Sequence, residues 1–245
     1  MKKTVKCAVT GGAGFIGSSL CEVLLAQDYE VYCLDNLITG NSENIAAFIQ
    51  KRNFHFLYVD VSQTIPDKII SQLTDVKYIY HLASPASPPI YRQLAIETLL
   101  VNSIGTYHML EIANKSKAKF LLASTSEVYG DPKEHPQKET YLGNVNCVGL
   151  RACYDESKRF AEALTMEYIR KFKIRACILR IFNTYGPKMK IKDGRVISNF
   201  INQAINGKPL TVYGDGRQTR SFCYIDDLVR GLITAMESKK TGGKV

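Results

Sequence analysis

The run Thr10-Gly11-Gly12-Ala13-Gly14-Phe15-Ile16-Gly17 limits what this chain can fold into more than any other feature. It stands between an apolar stretch, Thr4–Thr10, and an amphipathic one, Phe15–Ala26. A strand that turns so tightly into a helix needs residues without side chains at the turn. The helix then crosses back over a sheet to reach the next parallel strand. Two spacings are open: glycines 12, 14 and 17 satisfy G-x-G-x-x-G, and glycines 11, 14 and 17 satisfy G-x-x-G-x-x-G. Either lets the backbone approach a pyrophosphate, which the start of the helix stabilises.

The rest of the chain repeats the alternation. Strand patterns recur at Glu30–Asp35, Phe54–Asp60, Lys77–Ala83, Ala118–Ser124 and Ile174–Arg180, and helical patterns at Ser42–Lys51, Arg92–Asn114 and Tyr154–Phe172. Such alternation predicts an α/β fold with a Rossmann-type, doubly wound parallel sheet. After Arg180 the pattern is broken by Pro187, Pro209 and several glycines, with helices expected near Val196–Asn206 and Asp226–Glu237. Residues 1–182 are therefore expected to form a dinucleotide-binding domain and residues 183–245 a smaller substrate-binding portion. The helix near 226–238 is placed to return to the first domain, and Thr241–Val245 enter a new strand pattern.

Composition narrows the class. With 45% hydrophobic and 22% charged residues in 245, the chain reads as an ordinary soluble globular protein. No stretch approaches the roughly 18 apolar residues of a membrane span, and the start, Met1-Lys2-Lys3-Thr4, has no signal-peptide pattern. A cytoplasmic location is the expectation. The net charge of +9 comes from short clusters, Lys115-Lys117-Lys119, Arg170-Lys171-Lys173-Arg175 and Lys188-Lys190-Lys192, which are not interleaved with aromatics. They read as solvated faces rather than a nucleic-acid platform, with part of the charge left for an anionic small substrate. Seven cysteines, an odd count without a CxxC pair, indicate reduced thiols and no metal site; Cys7, Cys33 and Cys177 fall in strand patterns.

Asp35 ends the second strand 24 residues after Gly11, where a carboxylate accepts from ribose hydroxyls and repels a ribose phosphate. This favours NAD over NADP. Asp60 and Val61, after the third strand, are candidate adenine contacts. Tyr154 and Lys158 are four apart on a helical pattern and share a face. A lysine ammonium beside a phenol favours the phenolate, and such a pair can take a hydroxyl proton while hydride leaves the same carbon. Ser124-Thr125-Ser126-Glu127-Val128-Tyr129-Gly130 follows the fifth strand pattern, where hydroxyls can hold a substrate hydroxyl in line.

With these motifs the chain resembles the extended short-chain dehydrogenase/reductases, which include nucleotide-sugar epimerases, dehydratases and decarboxylases. Within them, His81–Pro88, Ser124–Pro132, Cys153–Glu156, Arg180–Pro187 and Asp193–Val196 resemble UDP-glucuronate decarboxylases, also called UDP-xylose synthases. The resemblance implies a cofactor site at Gly11, Gly14, Phe15, Ile16, Gly17, Asp35, Asn36, Asp60, Val61, Leu82, Ala83, Ser84, Tyr154 and Lys158. It implies catalytic roles for Thr125, Ser126, Glu127, Tyr154 and Lys158. It also implies a UDP-sugar pocket with Pro85, Ser87, Asn183, Arg195, Val196, Tyr213 and Arg220, with Arg220 on the diphosphate and Tyr213 beside the uridine. Sugar 4,6-dehydratases carry an Asp-Glu pair after the threonine, whereas this chain has Ser126-Glu127, without the acid that helps water leave. UDP-glucuronate has a carboxylate at carbon 6, and oxidation at carbon 4 makes a β-keto acid that loses carbon dioxide without added acid. A UDP-sugar 4-epimerase or 4,6-dehydratase stands as the alternative. A silent NAD-sensing protein is disfavoured because Thr125, Glu127, Tyr154 and Lys158 are all retained. The resemblance further implies a homodimer through the helices holding Tyr154 and Arg92–Asn114. Members continue for several dozen residues past the equivalent of Val245, so the smaller portion is expected to be incomplete.

Overall fold

In the computed structural model, residues 4–245 are described; the charged start Met1-Lys2-Lys3 lies outside them. The apolar runs form six parallel strands: β1 (Lys6–Thr10), β2 (Glu30–Asp35), β3 (Phe54–Tyr58), β4 (Tyr78–His81), β5 (Lys119–Thr125) and β6 (Ala176–Ile181). They lie in the order β3-β2-β1-β4-β5-β6, so the winding reverses between β1 and β4. Thr10 pairs with His81 at that reversal, which opens a crevice outside the carboxyl ends of the strands.

Both faces of the sheet are covered, so strand residues are buried on each side. Cys7, Val9, Cys33 and Tyr80 pack with α1 (Phe15–Ala26) and α8 (Ile225–Glu237). Ala8, Leu34, Ile79, Phe120 and Leu122 face the opposite side, with α5 (Thr106–Ser116) and α6 (Ala152–Phe172). Cys7, Cys33 and Cys177 are buried reduced thiols, whereas Cys147 is exposed. Through Leu228, Val229, Leu232 and Met236, α8 belongs to the sheet's core. Beyond it, Ile178 N donates to Lys244 O at 3.0 Å and Gly243 N to Ala176 O at 2.7 Å, so the last residues run parallel alongside β6.

Three expectations are corrected. Ser42–Lys51 is not a helix: a 3-10 turn at Ser42–Asn44 is followed by irregular turns. The Asn41 side chain accepts from Glu43 N, and buried Ile45 and Phe48 pin the turns to the core. The long pattern Arg92–Asn114 is broken into α3 (Pro88–Gln93), α4 (Ala95–Leu100), a π-type turn (Val101–Gly105) and α5. The π turn rotates Asn102 into the interior, where its Nδ2 donates to Ser157 Oγ at 3.0 Å. Lys119 is not on a solvated face: its ammonium is buried and donates to Ala235 O, Ser238 O and Thr241 Oγ1 at 2.9, 2.6 and 2.9 Å. A further short helix, α2 (Asp67–Gln72), had no sequence expectation.

After β6 the chain leaves the sheet. β7 (Asn183–Tyr185) pairs in parallel with β8 (Phe222–Tyr224), and between them runs α7 (Val196–Ile205), which buries none of its residues. Asp193 is the one buried residue between 186 and 221.

Candidate active site

The crevice at the reversal widens into a cavity of about 1550 Å³. Gly11, Gly14 and Gly17 line it, and Gly12 does not. A Cβ on Gly12 would meet Cys33 Sγ at 2.5 Å, and one on Gly17 would meet Gly11 O at 2.1 Å. The protein's own packing therefore requires those two glycines. Gly11 has φ +69° and lies against the backbone of Ala83. Gly14 differs, because its Cβ would meet only Gly11 O, at 3.2 Å. The protein's own packing therefore asks less of this position than of Gly12 or Gly17. Of the two spacings, 11, 14 and 17 is the one whose three glycines all line the cavity.

Asp35 lies at the edge of the same loop. Its carboxylate accepts from Ala13 N at 2.9 Å and Leu37 N at 2.8 Å. Burial raises its pKa, and these amides oppose the rise. Asp60 accepts from Asn36 Nδ2 at 3.0 Å and from Ser62, which fixes the turn after β3.

Beneath the crevice a buried chain of hydrogen bonds joins β1 to α6. Thr10 Oγ1 accepts from the amides of Leu82 and Ala83, both at 3.1 Å, so its own hydrogen goes to His81 Nδ1 at 2.8 Å. His81 Nε2 then carries the ring hydrogen and donates to Thr106 Oγ1 at 3.1 Å, which donates to Asn102 O at 2.7 Å. Burial, aided by the charge of Lys158, pushes the imidazole pKa down to about 3, so His81 is neutral. From Asn102 the chain passes to Ser157, which donates to the carbonyls of Cys153 and Tyr154 at 2.6 and 3.1 Å. The segment of α6 bearing Tyr154 and Lys158 is thereby tied to the glycine-loop side.

Tyr154 and Lys158 are both buried. Lys158 Nζ donates to Ala123 O at 2.8 Å and lies 5.9 Å from the centre of the Tyr154 ring. Burial pushes Lys158 down to about 8. Burial also pushes Tyr154 up to about 12, against the pull of the Thr125 hydroxyl and the Arg195 charge. The phenol thus stands above its ordinary value, because desolvation of the phenolate is the largest effect on it. Tyr91 stacks on Tyr154, with ring centres 4.9 Å apart and planes 5° from parallel.

At the end of β5, Thr125 Oγ1 accepts from Glu127 N at 3.2 Å. Ser124 Oγ donates to Glu162 at 2.6 Å, and Glu162 is held bidentately by Arg180 at 2.9 and 2.7 Å. Ser124 thus belongs to the support beneath the site. The Glu127 carboxylate pairs with Arg151, whose Nε is 3.7 Å from Asp155 Oδ2. Arg195 is engaged by Asp193, Asn183 Nδ2 donates to Ser221 O at 3.1 Å, and exposed Arg220 donates to Thr219 O at 2.7 Å.

Every residue assigned above to cofactor, catalysis or substrate lines this one cavity except Tyr213, which is 77% exposed and outside its wall. Sequence reasoning missed Arg151, Tyr91 and Asp155. No local pattern marks them, and only the run Cys153–Glu156 placed Asp155 near the helix. Among the described residues no three His, Cys, Asp or Glu side chains gather as metal ligands, and no helix is long and apolar enough to cross a membrane.

A glycine turn after β1, a carboxylate at the end of β2 and a buried Tyr-Lys pair on one doubly wound sheet define a Rossmann-type short-chain dehydrogenase/reductase. The chain matches the NAD dependent epimerase/dehydratase family over residues 7–245 and belongs to it. It is 51% identical over 241 residues to UDP-glucuronic acid decarboxylase 4 of Arabidopsis thaliana, covering 98% of this chain and 53% of that protein. Against UDP-glucuronic acid decarboxylase 1 of Xenopus tropicalis it is 49% identical over 97% of the chain and 55% of the relative. The chain thus spans about half the length of these curated relatives. The UDP-glucuronic acid 4-epimerase of Bacillus cereus, solved with UDP-glucuronic acid and NAD, superposes with a TM-score of 0.86 at 34% identity, over 98% of this chain and 76% of that one.

Proposed function

We propose that the chain carries out NAD-dependent decarboxylation of UDP-glucuronate to UDP-xylose through a 4-keto sugar. The observation that carries this reading is the convergence of Thr125, Tyr154, Lys158 and Glu127 beside the glycine turn in one cavity. The bare Gly14 fits a pyrophosphate, and the Asp35 carboxylate fits ribose hydroxyls and disfavours a ribose phosphate, so NAD is the cofactor proposed. Bound there, NAD supplies the hydride acceptor and, once reduced, the hydride donor.

The chain's own residues do the rest. Thr125 and Tyr154 hold the hydroxyl on carbon 4, and Tyr154 takes its proton, with Lys158, charged near neutral pH, placed to favour the phenolate. The walls around Tyr154 and Lys158 exclude water, which strengthens that influence. The resulting β-keto acid loses carbon dioxide because the ketone accepts the electron pair. Glu127 is the carboxyl group available to relay a proton from water to carbon 5, and Tyr154 returns the proton to the carbon 4 oxygen. Ser126 stands where a dehydratase needs an acid, so water loss is disfavoured.

A 4-epimerase acting on the same sugar acid is the second reading, favoured by the likeness to the Bacillus cereus enzyme. Mass analysis after incubation with UDP-glucuronate separates the two. A pentose nucleotide and carbon dioxide support decarboxylation, and a product of unchanged mass overturns it. A homodimer is part of the proposal, because Ile96, Leu99, Tyr107 and Phe160 are exposed on α4, α5 and α6; light scattering at the monomer mass removes it. Seven unpaired cysteines suit a reducing compartment, so the cytoplasm is the proposed location, open to test by cell fractionation.

A further inference from the structure

Two arginine–glutamate pairs lie near the cavity, and they are built differently. Arg180 grips Glu162 through two nitrogens and also donates to Tyr129 Oη and Glu139 O, with both charged side chains mostly buried. Arg151 reaches Glu127 through Nη2, with its side chain 51% exposed and that of Glu127 33% exposed. Exposed pairs of this kind contribute little and exchange partners readily. Arg151 is also the residue at the start of α6, where its backbone carbonyl accepts from Tyr154 N and Asp155 N at 3.0 Å. Its guanidinium makes no hydrogen bond to the helix backbone; besides Glu127 it has only the longer contact to Asp155, 3.7 Å away on the first turn, so exchange of Glu127 leaves the helix intact.

Polar capacity at this wall is left unused. Tyr91 Oη and Asp155 Oδ1 are buried without a hydrogen-bond partner, and Tyr91 stacks on Tyr154. The charge of Arg151 acts on both Tyr91 and Asp155. A carboxyl group on carbon 5 of a sugar is two bonds from carbon 4, so a cation that serves it must stand near Tyr154 and Glu127.

We propose that Arg151 determines specificity for a sugar acid by exchanging Glu127 for the carboxylate of the incoming nucleotide sugar. A guanidinium binds a carboxylate through two parallel hydrogen bonds, and the arrangement strengthens as the sugar excludes water. The exchange frees Glu127 from the guanidinium while the sugar acid is bound, so that it can take up a proton from water before carbon 5 needs one. Once the carboxylate has left as carbon dioxide the product offers Arg151 nothing, and Glu127 reclaims it. This inference rests on the proposed reaction, and it adds the means by which acid is told from neutral sugar.

Calorimetric titration of the NAD-loaded chain with UDP-glucuronate, UDP-glucose and UDP-xylose tests it. The unsubstituted chain prefers the acid. Arg151→Gln weakens UDP-glucuronate by roughly 10- to 100-fold, the range for hydrogen bonds to a charged group, and leaves UDP-glucose and UDP-xylose unchanged. Arg151→Lys, which keeps a point charge, falls between the two and serves if the glutamine variant melts early. Glu127→Gln removes the competitor, so UDP-glucuronate binds at least as tightly as before although turnover slows. A preference that survives Arg151→Gln, an equal loss for all three nucleotides, or no preference in the unsubstituted chain overturns the inference. Carbon dioxide release is scored separately. Preference for the acid without carbon dioxide leaves the exchange standing and the decarboxylation fallen, and the opposite pattern does the reverse.

Discussion

Around His81 the polar side chains are sealed and joined into one chain of hydrogen bonds, whereas along residues 186–221 they face outward and bury almost nothing. Both regions contribute walls to the same cavity. On the sheet side, Thr10, His81, Thr106, Asn102 and Ser157 fix the loop after β4 and the Tyr154 segment of α6 relative to each other. On the other side, Arg195 and Arg220 project from backbone that the core does not hold. A reaction centred on one carbon needs its proton and hydride partners placed to a fraction of an ångström, while a diphosphate is attracted by charge over a longer range. Rigidity is concentrated where the chemistry is short-ranged.

Substitutions on the two sides should therefore behave differently, and the largest difference is expected at Tyr154. Tyr154→Phe keeps the stacked ring but removes the proposed acid/base, so turnover should fall at least ~10²-fold with NAD binding retained. Near-normal turnover in a coupled assay would break the assignment. Next come two glycine-to-alanine changes. At Gly17 the new Cβ would collide with backbone, and the cost is expected near the top of the overpacking range, roughly 3 kcal/mol, in denaturant melts. At Gly207, with φ +62° and nothing within 4 Å of a Cβ, only the left-handed backbone is penalised, by about 1 kcal/mol. Equal costs would mean that the open stretch is as tightly held as the loop.

A smaller effect follows from His81. Its folded pKa, about 3, lies below the ordinary 6.5, so the unfolded chain binds a proton that the folded chain refuses between those values. Stability should fall as pH drops through this window, by about 1.4 kcal/mol per pH unit from this group. The slope should be shallower in His81→Gln, and parallel pH profiles of the two proteins would show that the histidine is not held neutral. The smallest change is expected at Tyr213. Because it is exposed and outside the cavity wall, Tyr213→Ala should alter stability by less than about 0.5 kcal/mol and leave UDP affinity unchanged. A clear loss of UDP affinity would show that the open stretch folds over the nucleotide.

What the sequence disclosed follows the same division. The glycine turn, Asp35 and the Tyr154–Lys158 spacing were legible because each answers a local demand, of backbone conformation, strand end or helix face. The break of Arg92–Asn114 was not legible, because Asn102 turns inward to meet Ser157, 55 positions away. Arg151 was missed for a related reason: its partner, Glu127, lies in a different loop, and nothing periodic joins them. Lys119 stood in a basic cluster, and only the folded chain shows three acceptors around its ammonium. The raised pKa of Tyr154 was not legible either, because burial is a property of the assembled walls.

The buried ammonium of Lys119 also bears on the order of events during synthesis. Its acceptors are separated from it by 116 to 122 positions. At about 5–20 residues per second, a ribosome needs roughly 6 to 25 s to make them. Throughout that interval strand β5, next to the edge of the sheet, carries a cation at its base that cannot be buried without a steep penalty. Until then the Lys119 ammonium has to keep its water, and its burial is completed only when the end of α8 and Thr241 arrive.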